Sequence, residues 1–413
     1  MVKKFLCSLL ITTVIFSCND SGQKQSSQSE DLSSYPKSSF GYDLNYLEQQ
    51  DDSLIVLGDD SKKSQVIVSP KFQAKVFTST ADGNDGLSFG WVNYKAFTGP
   101  PDAHMNGYGG ENRIWLGPEG GKFSLFFKPD SQMVFENWKT PPAYDTEPWT
   151  VTNKTGQSVS MKKDIHLLNY KGTELDALVE RSVTILNNED IEKKAGLALD
   201  TSIKAVAYQT NNTITNEGKD AWNETTGMPC IWMLDMFSPS PTTVIIVPFK
   251  KSGQPFDKIA TTNYFGEISS DRLKHTGDIL FFKADGKSRG KLGIKPDYAK
   301  PLAGSYDPEH KVLTVIMFDL DSSAQYLNQE WNTNKPPFSG DAVNAYNDGP
   351  LADGTQMGPF YEIESVSPAA FLKPGQSLSH QHTVFHFTGN TEKLDAIAQK
   401  LFGVSLEEIQ KQF

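Results

Sequence analysis

The chain has 413 residues and a formal net charge of −11 at neutral pH, from 39 basic and 50 acidic side chains. The acidic residues are spread along the chain and no basic cluster occurs, which argues against nucleic-acid binding and against electrostatic attachment to anionic lipid. The length allows one large domain with a substantial core. Cys7 and Cys18 lie near the N-terminus, so the remaining Cys230 predicts a body without an internal disulfide.

Residues 1–18 have the pattern of a lipoprotein signal peptide. Lys3 and Lys4 precede an apolar run at 5–16, which is shorter than the about 20 residues that a bilayer-spanning helix needs. Ser17 and Cys18 follow as in a relaxed lipobox, which predicts that Cys18 is diacylated after cleavage. The alternative is an ordinary secretory peptide cut near this point. We therefore expect an exported protein, attached only through this lipid to the periplasmic or cell-surface face of a bacterial membrane.

Two regions follow the signal peptide. Residues 19–39 are rich in Ser, Gln, Asp and Lys and predict a flexible tether, because such a segment cannot bury a core. Residues 40–413 contain many short apolar or alternating runs, separated by Gly, Pro and Asn turns, which predict an all-β sandwich or barrel. A helix is expected over 391–413 and a weaker one near 40–50. No internal repeat is visible, which argues against a propeller or solenoid.

Tryptophan and tyrosine are frequent in polar, glycine-rich segments, for example at Trp138, Trp222 and Trp331. Aromatic rings beside Asn, Asp and Arg suit a sugar ligand, because a pyranose offers apolar faces for stacking and hydroxyls for hydrogen bonds. The alternative is that these rings fold back and fill the core. This composition favours a mono- or oligosaccharide as the partner.

The most informative segment is Glu-Ile-Glu-Ser-Val-Ser-Pro at 362–368. On a strand, Glu362 and Glu364 share one face. Two neighbouring carboxylates repel each other unless a cation or a proton lies between them, which predicts either an acid/base site or a cation site. The alternative is a pair of solvated glutamates.

This segment, with Leu-Lys-Pro-Gly-Gln at 372–376, resembles the C-terminal signature of galactose mutarotase-like (aldose epimerase-like) proteins. The segments 109–121, 289–294 and 344–349 resemble further motifs of that superfamily. The resemblance extends from Phe40 to Gly389 and is nearest to an uncharacterised Bacteroidetes lipoprotein family of unknown function on the same scaffold. It implies a β-supersandwich whose concave sheet holds a sugar, followed by a short C-terminal helix.

The resemblance also implies a mechanism, in which a glutamate removes the proton of the anomeric hydroxyl and an acid protonates the ring oxygen. Glu364 matches the catalytic base, with Glu362 beside it, and no cofactor is implied. The Asn-His-x-Tyr-Phe stretch that supplies the acid is missing, so we take His104 as its substitute. We predict the following substrate-binding residues: Glu111, Arg113, Trp115, Trp222, Lys291, Asn347 and Asp348.

A competing interpretation starts from His380, His382 and His386, which share one face of a predicted strand. This spacing allows chelation of one metal ion, with a carboxylate from a neighbouring strand. The alternative is a row of histidines that form hydrogen bonds. We do not expect a bound metal, and these histidines are the only candidate ligands.

Three classes of function remain open. The first is an aldose 1-epimerase-like isomerase, and the second is a non-catalytic glycan-binding lipoprotein of a saccharide-utilisation system. The third is a polysaccharide lyase or hydrolase, which needs a second group near Glu364, and Glu111 and Glu119 are available. The sequence has neither a phosphate-binding loop nor a Gly-x-Ser-x-Gly elbow.

Overall fold

A computed structural model describes residues 34–59 and 61–413, which form antiparallel β-sheets with a few short helices. The predicted signal peptide, Cys18 and residues 19–33 of the predicted tether lie outside the described residues. The strands are β1 (Ile55–Gly58), β2 (Gln65–Ser69), β3 (Lys75–Thr80), β4 (Arg113–Gly117), β5 (Thr150–Lys154), β6 (Ser158–Leu168), β7 (Glu174–Ile185), β8 (Ile203–Asn216), β9 (Cys230–Phe237), β10 (Val244–Pro248), β11 (Ala260–Thr261), β12 (Leu273–Thr276), β13 (Ile279–Lys283), β14 (Gly290–Ile294), β15 (Leu302–Asp307), β16 (Val312–Phe318), β17 (Val343–Asn347), β18 (Tyr361–Val366) and β19 (Ser377–Gly389). The helices are α1 (Phe40–Glu48), α2 (Tyr94–Thr98), α3 (Asn188–Ala195), α4 (Phe256–Ile259), α5 (Thr391–Phe402) and α6 (Leu406–Gln410).

Two large sheets form the body of the protein. The ten-stranded sheet has the order β12-β13-β10-β15-β16-β19-β8-β7-β6-β5, and the six-stranded sheet has the order β11-β14-β17-β18-β9-β4. A small sheet of β1, β2 and β3 accompanies them. This architecture confirms the predicted all-β fold class.

The burial pattern distinguishes two kinds of strand. In β7, buried and more exposed residues alternate, as expected when one face of a sheet packs on the core and the other faces water. In β9 and β18 every residue is buried, so both faces of the six-stranded sheet are covered in this region. The two glutamates of β18 are therefore not solvated, which excludes the interpretation of a solvated face.

The odd-numbered residues of β18 face the ten-stranded sheet. The Tyr361 hydroxyl lies 2.8 Å from Ser305 Oγ of β15, and Ser365 Oγ lies 2.8 Å from His382 Nδ1 of β19. We call this side of the six-stranded sheet the inner face. Because side chains alternate along a strand, Glu362 and Glu364 belong to the opposite side, the outer face.

The segment 391–413 forms two helices and not one. Asn390 caps α5 and Gly403, with φ of 76°, ends it in the left-handed region, where glycine has no steric penalty. Ser405 begins α6 with a capping box to Glu408. Within the described residues, no helix has the length and apolarity to cross a bilayer.

The N-terminal end of the domain lies slightly earlier than predicted. A helix is present near 40–50 as expected, and Ser39 Oγ accepts a hydrogen bond from the Tyr42 backbone N–H at 3.3 Å, which caps α1. Ser39, the last residue of the predicted tether, is buried. A capping side chain satisfies a backbone donor at the helix start, so Ser39 is part of the folded structure.

Candidate functional site

Charged and aromatic side chains from four strands meet on the outer face of the six-stranded sheet. The pairing places Arg113 opposite Leu234, Leu234 opposite Glu364, and Glu364 opposite Asn344. Directly paired residues point to the same side of a sheet, so strand register brings together residues that are far apart in sequence. We call the resulting group the outer-face cluster, and its members are Arg113, Trp232, Lys291, Glu362 and Glu364.

Glu364 is fully buried and only one of its two oxygens is paired. Oε2 accepts hydrogen bonds from Trp232 Nε1 and from Lys291 Nζ, both at 2.8 Å. Oε1 is buried and has no partner among the described residues. A buried carboxylate oxygen without a donor is unfavourable, so a ligand hydroxyl at this position would remove the penalty.

Glu362 forms a buried ion pair with Arg113, in which Nη2 lies 2.6 Å from Oε1. The guanidinium group lies over the Trp115 ring, 5.0 Å from its centre, and its Nε has no partner among the described residues. Burial raises the pKa of Glu362 to about 7, with Arg113 opposing this shift and the charge of Glu364 adding to it. Near neutral pH this carboxyl can therefore gain and lose a proton.

Tyr346, Asn347 and Asp348 support one end of the cluster. The Tyr346 hydroxyl donates to Asp348 Oδ1 at 3.0 Å, and Asp348 Oδ2 accepts the Gly358 backbone N–H at 2.9 Å. Asn347 binds the backbone of Gly286 and Ser288. Asn347 and Asp348 were predicted to bind substrate, but these contacts use their side chains to hold loops. Tyr346 is half-buried and lies on the outer face, directly opposite Glu362.

The predicted aromatic residues divide into two groups. Trp115 packs edge-on against Trp232, with ring centres 5.6 Å apart, and the stacked pair of Trp138 and Trp331 continues this aromatic group. Trp222 is buried in the same hydrophobic core as Trp115, Trp138 and Trp232. Its backbone N–H donates to the Leu372 carbonyl oxygen. Among the described residues its ring does not join the aromatic contacts of Trp115 and Trp232, so the structure does not bring Trp222 to the outer-face cluster.

His104 does not contact the glutamates. Its Nδ1 lies 2.6 Å from the Trp138 carbonyl oxygen and its ring stacks on Phe135. Both contacts join the loop before β4, residues 99–112, to the loop between β4 and β5, residues 118–149, and we call these two segments the covering loops. The structure therefore gives His104 a role in loop packing, and it supplies no hydrogen bond from His104 to the predicted base.

The two carboxylates considered as second catalytic groups lie in different places. Glu111 belongs to the inner face, where Oε1 accepts from Ser79 Oγ at 2.7 Å and lies 3.1 Å from His386 Nε2. Glu119 lies near the outer-face cluster, close enough for the charges of Lys291 and Glu364 to act on it. Burial raises the pKa of Glu119. The structure thus removes Glu111 from the predicted substrate site and brings Glu119 towards it.

The three strand histidines point to the inner face, where His380 and His382 share Ser365 as a partner and His386 has other partners. His380 Nε2 and His382 Nδ1 each lie 2.8 Å from Ser365 Oγ, and His382 Nε2 lies 2.7 Å from Asp235 Oδ2. His386 binds Thr314 and Glu111. In residues 34–59 and 61–413, no group of three His, Cys, Asp or Glu side chains could hold a metal ion. These contacts match the alternative interpretation, in which the three histidines form hydrogen bonds with protein groups.

Sequence reasoning missed Trp232 as a site residue. It lies in the apolar run that includes Cys230, and β9 is buried on both faces, so no alternation marks its outer side. Burial raises the pKa of Cys230 to about 12, as expected of an unreactive buried thiol. Only the pairing of β9 with β18 identifies Trp232 as a partner of Glu364.

The fold is shared with solved structures of low sequence identity. The Slr1438 protein from Synechocystis sp. PCC 6803 has a TM-score of 0.51 and 12% identity, over 82% of this chain and 96% of that chain. A galactose mutarotase-like protein from Lactobacillus casei ATCC 334 has a TM-score of 0.50 and 11% identity, over 81% and 99% of the two chains. These similarities show the fold alone, and they confirm the galactose mutarotase-like β-supersandwich. No curated protein matches the chain.

A family match covers nearly all the described residues. Residues 38–413 match the family described as "Family of unknown function (DUF6786)". The match therefore includes the complete outer-face cluster and the inner-face histidines. The chain belongs to DUF6786, a family of unknown function, and carries a galactose mutarotase-like fold.

Proposed function

We propose that the outer-face cluster binds a sugar and that the protein is an aldose-epimerase-like enzyme with Glu364 as its base. One observation carries this proposal: Glu364 is buried with Oε2 held by Lys291 and Trp232, while Oε1 has no partner among the described residues. A fixed carboxylate with one free oxygen can accept the proton of a sugar hydroxyl. The shared mutarotase-like fold supports a carbohydrate as the ligand, although fold by itself does not determine chemistry.

In the proposed reaction, Glu364 removes the proton of the anomeric hydroxyl and a second group donates a proton to the ring oxygen. The C1–O5 bond breaks, C1 becomes an aldehyde, and rotation before reclosure inverts the anomeric centre. Glu362 replaces His104 as our candidate proton donor, because its raised pKa of about 7 allows it to hold a proton. The two glutamates are two residues apart on one strand face, about 7 Å, which leaves space for an anomeric centre.

Glu364→Gln tests the assignment of the base. With α-D-glucose and α-D-galactose as probes, we expect anomerisation followed by NMR to fall at least about 100-fold, because glutamine cannot accept the proton. Sugar affinity should stay within a few-fold. Glu136→Gln is the matched control, because Glu136 is exposed in a covering loop. Turnover that survives in the Glu364→Gln variant contradicts the assignment, and sugar binding without turnover in the native protein identifies a non-catalytic glycan-binding protein.

The position of Glu119 favours a second candidate, hydrolysis of a glycoside. Glycosidases use two carboxyl groups, one of which carries a proton in the resting enzyme. Glu119 has a raised pKa and experiences the charge of Glu364, so the pair has the required chemistry. Release of reducing ends from oligosaccharides, lost in both Glu119→Gln and Glu364→Gln, supports hydrolysis. Anomerisation without release of reducing ends contradicts it.

We also propose that the protein is exported and lipidated at Cys18. The apolar run at 5–16 followed by Ser17 and Cys18 supports this proposal. A Cys18→Ala variant should lose incorporation of a labelled fatty acid and should leave the membrane fraction. Equal labelling of the variant and the native protein contradicts lipidation at this residue.

A further inference from the structure

A polar cavity lies at the edge of the six-stranded sheet beside β11. Its volume is about 600 Å³, within the range of about 300 to 1,000 Å³ that is usual for ligand sites. No member of the outer-face cluster lines it. The polar side chains that matter here are Thr261, Asn263, Lys295, Glu330, Lys335 and Ser339.

Strand register places this cavity next to the outer-face cluster. Thr261 of β11 is paired with Gly293 of β14, which lies two residues along the strand from Lys291. Adjacent strands are about 4.8 Å apart and two residues span about 7 Å, so Thr261 is within about 10 Å of Lys291 on the same face. This separation is short enough for one ligand to reach both sites.

Tyr264 and Asp341 connect the two sites through contacts with Lys291 and Thr261. The Tyr264 ring lies near Lys291, with Nζ 5.7 Å from the ring centre. Its hydroxyl donates to Asp341 Oδ2 at 2.6 Å, and Asp341 Oδ1 accepts from Thr261 Oγ1 at 3.3 Å. These contacts thus lead from Thr261 in the cavity lining to Lys291 in the outer-face cluster.

The chemistry of the cavity suits a neutral polyhydroxylated group. Lys335 Nζ contacts both oxygens of Glu330 at 2.6 Å, so these two charges compensate each other. Hydroxyl and amide groups of Thr261, Asn263 and Ser339 offer both donors and acceptors. The remaining charged residues of the lining, Lys295, Asp257 and Glu267, leave a net charge of −1. A strongly charged ligand would need a larger excess of the opposite sign.

We propose that this cavity binds the sugar unit next to the one held at the outer-face cluster, so that the ligand is a neutral oligosaccharide of at least two units. The inference rests on the proposed function and names its substrate class. A ligand in both sites makes hydrogen bonds that a monosaccharide cannot make. It therefore binds more tightly than its single units.

The test compares monosaccharides with disaccharides by calorimetry. The probes are glucose, galactose and their α- and β-linked disaccharides. We expect at least one disaccharide to bind the native protein about tenfold more tightly than its units, because about one or two further hydrogen bonds contribute. Asn263→Ala and Lys335→Gln should remove this gain and leave monosaccharide affinity unchanged.

Two controls separate a local effect from unfolding. Asn263 is exposed, so its truncation preserves the fold. Lys163→Gln is the matched control, because Lys163 pairs with Glu147 at 2.7 Å and does not line the cavity. This variant should still bind the disaccharide more tightly than the monosaccharides. The second site is overturned if the native protein binds monosaccharides and disaccharides with equal affinity. It is also overturned if the tighter binding of the disaccharide survives in both Asn263→Ala and Lys335→Gln. In either case monosaccharide binding persists, so the proposed function stands. Absence of any sugar binding overturns the proposed function together with the second site.

Discussion

Strand β18 separates two polar clusters that differ in the kind of group that is left with an unpaired atom. Glu364 belongs to the outer-face cluster, while its neighbour Ser365 joins the inner-face cluster of Asn112, Asp235, Ser365, His380 and His382. In the inner-face cluster both oxygens of Asp235 and both ring nitrogens of His382 have partners, and the buried atom without a partner among the described residues is Nδ1 of His380. In the outer-face cluster the buried atoms that are unpaired within the described part of the chain are Nε of Arg113 and Oε1 of Glu364, which both belong to members of buried ion pairs. An unpaired atom in a buried ion pair is unfavourable, so two such atoms on the outer face favour a ligand site there. Oε2 of Glu111 on the inner face is also buried without a partner among the described residues.

The two clusters also differ in titration. Burial lowers the pKa of His380 to about 3, with His382 contributing to the shift, so His380 is neutral at physiological pH. Burial raises the pKa of Glu362 to about 7. Protonation near neutral pH therefore changes the outer-face cluster and leaves His380 of the inner-face cluster unaffected. Acid/base chemistry is expected where a group titrates near the working pH.

Asp235→Ala should have the largest effect on stability. It leaves Asn112 Nδ2 and His382 Nε2 buried without their acceptor, and each such group costs about 1 to 3 kcal/mol. We expect urea unfolding to show a loss of about 2 to 5 kcal/mol, with sugar affinity unchanged in the folded protein. Asp235→Asn, which keeps one acceptor, should lose less. A loss of sugar affinity larger than the loss of stability would contradict the division into two roles.

Glu362→Gln should change how stability depends on pH. The folded-state pKa is raised from 4.5 to about 7. The folded protein therefore binds more protons than the unfolded chain in this interval, and the stabilisation present below pH 4.5 is lost as the pH rises through 7. Relative to the variant, native protein should lose about 3 kcal/mol between these values, since each pKa unit corresponds to about 1.4 kcal/mol. Parallel stability curves measured at several pH values would contradict the raised pKa.

His104→Ala should have the smallest effect. His104 binds the Trp138 carbonyl and stacks on Phe135 within the covering loops. We expect anomerisation and sugar affinity within about twofold of the native protein, and a stability change of about 1 kcal/mol, typical of one hydrogen bond. A large fall in turnover at constant affinity would restore His104 as the proton donor and move Glu362 to a positioning role.

The sequence was sufficient for the fold class and for part of the site. Period-two alternation and frequent turns predicted strands, and the spacing of Glu362 and Glu364 placed both on one strand face. Arg113 and Lys291 were predicted as site residues from short motifs, and the structure pairs them with Glu362 and Glu364. The two C-terminal helices were predicted as one, because the break at Gly403 depends on a left-handed residue within an otherwise helical pattern.

Tertiary structure decided which candidates meet. Glu111 and Arg113 are only two residues apart in the sequence. Glu111 nevertheless contacts His386 on the inner face, whereas Arg113 contacts Glu362 on the outer face. Local sequence specifies a residue's type and periodicity, but strand order and register determine its partners. The sequence by itself therefore determined an all-β chain with two adjacent glutamates. Only the pairing of β4, β9, β14 and β18 decided that Trp232 and Lys291 share Glu364, because these contacts join residues separated by long stretches of chain.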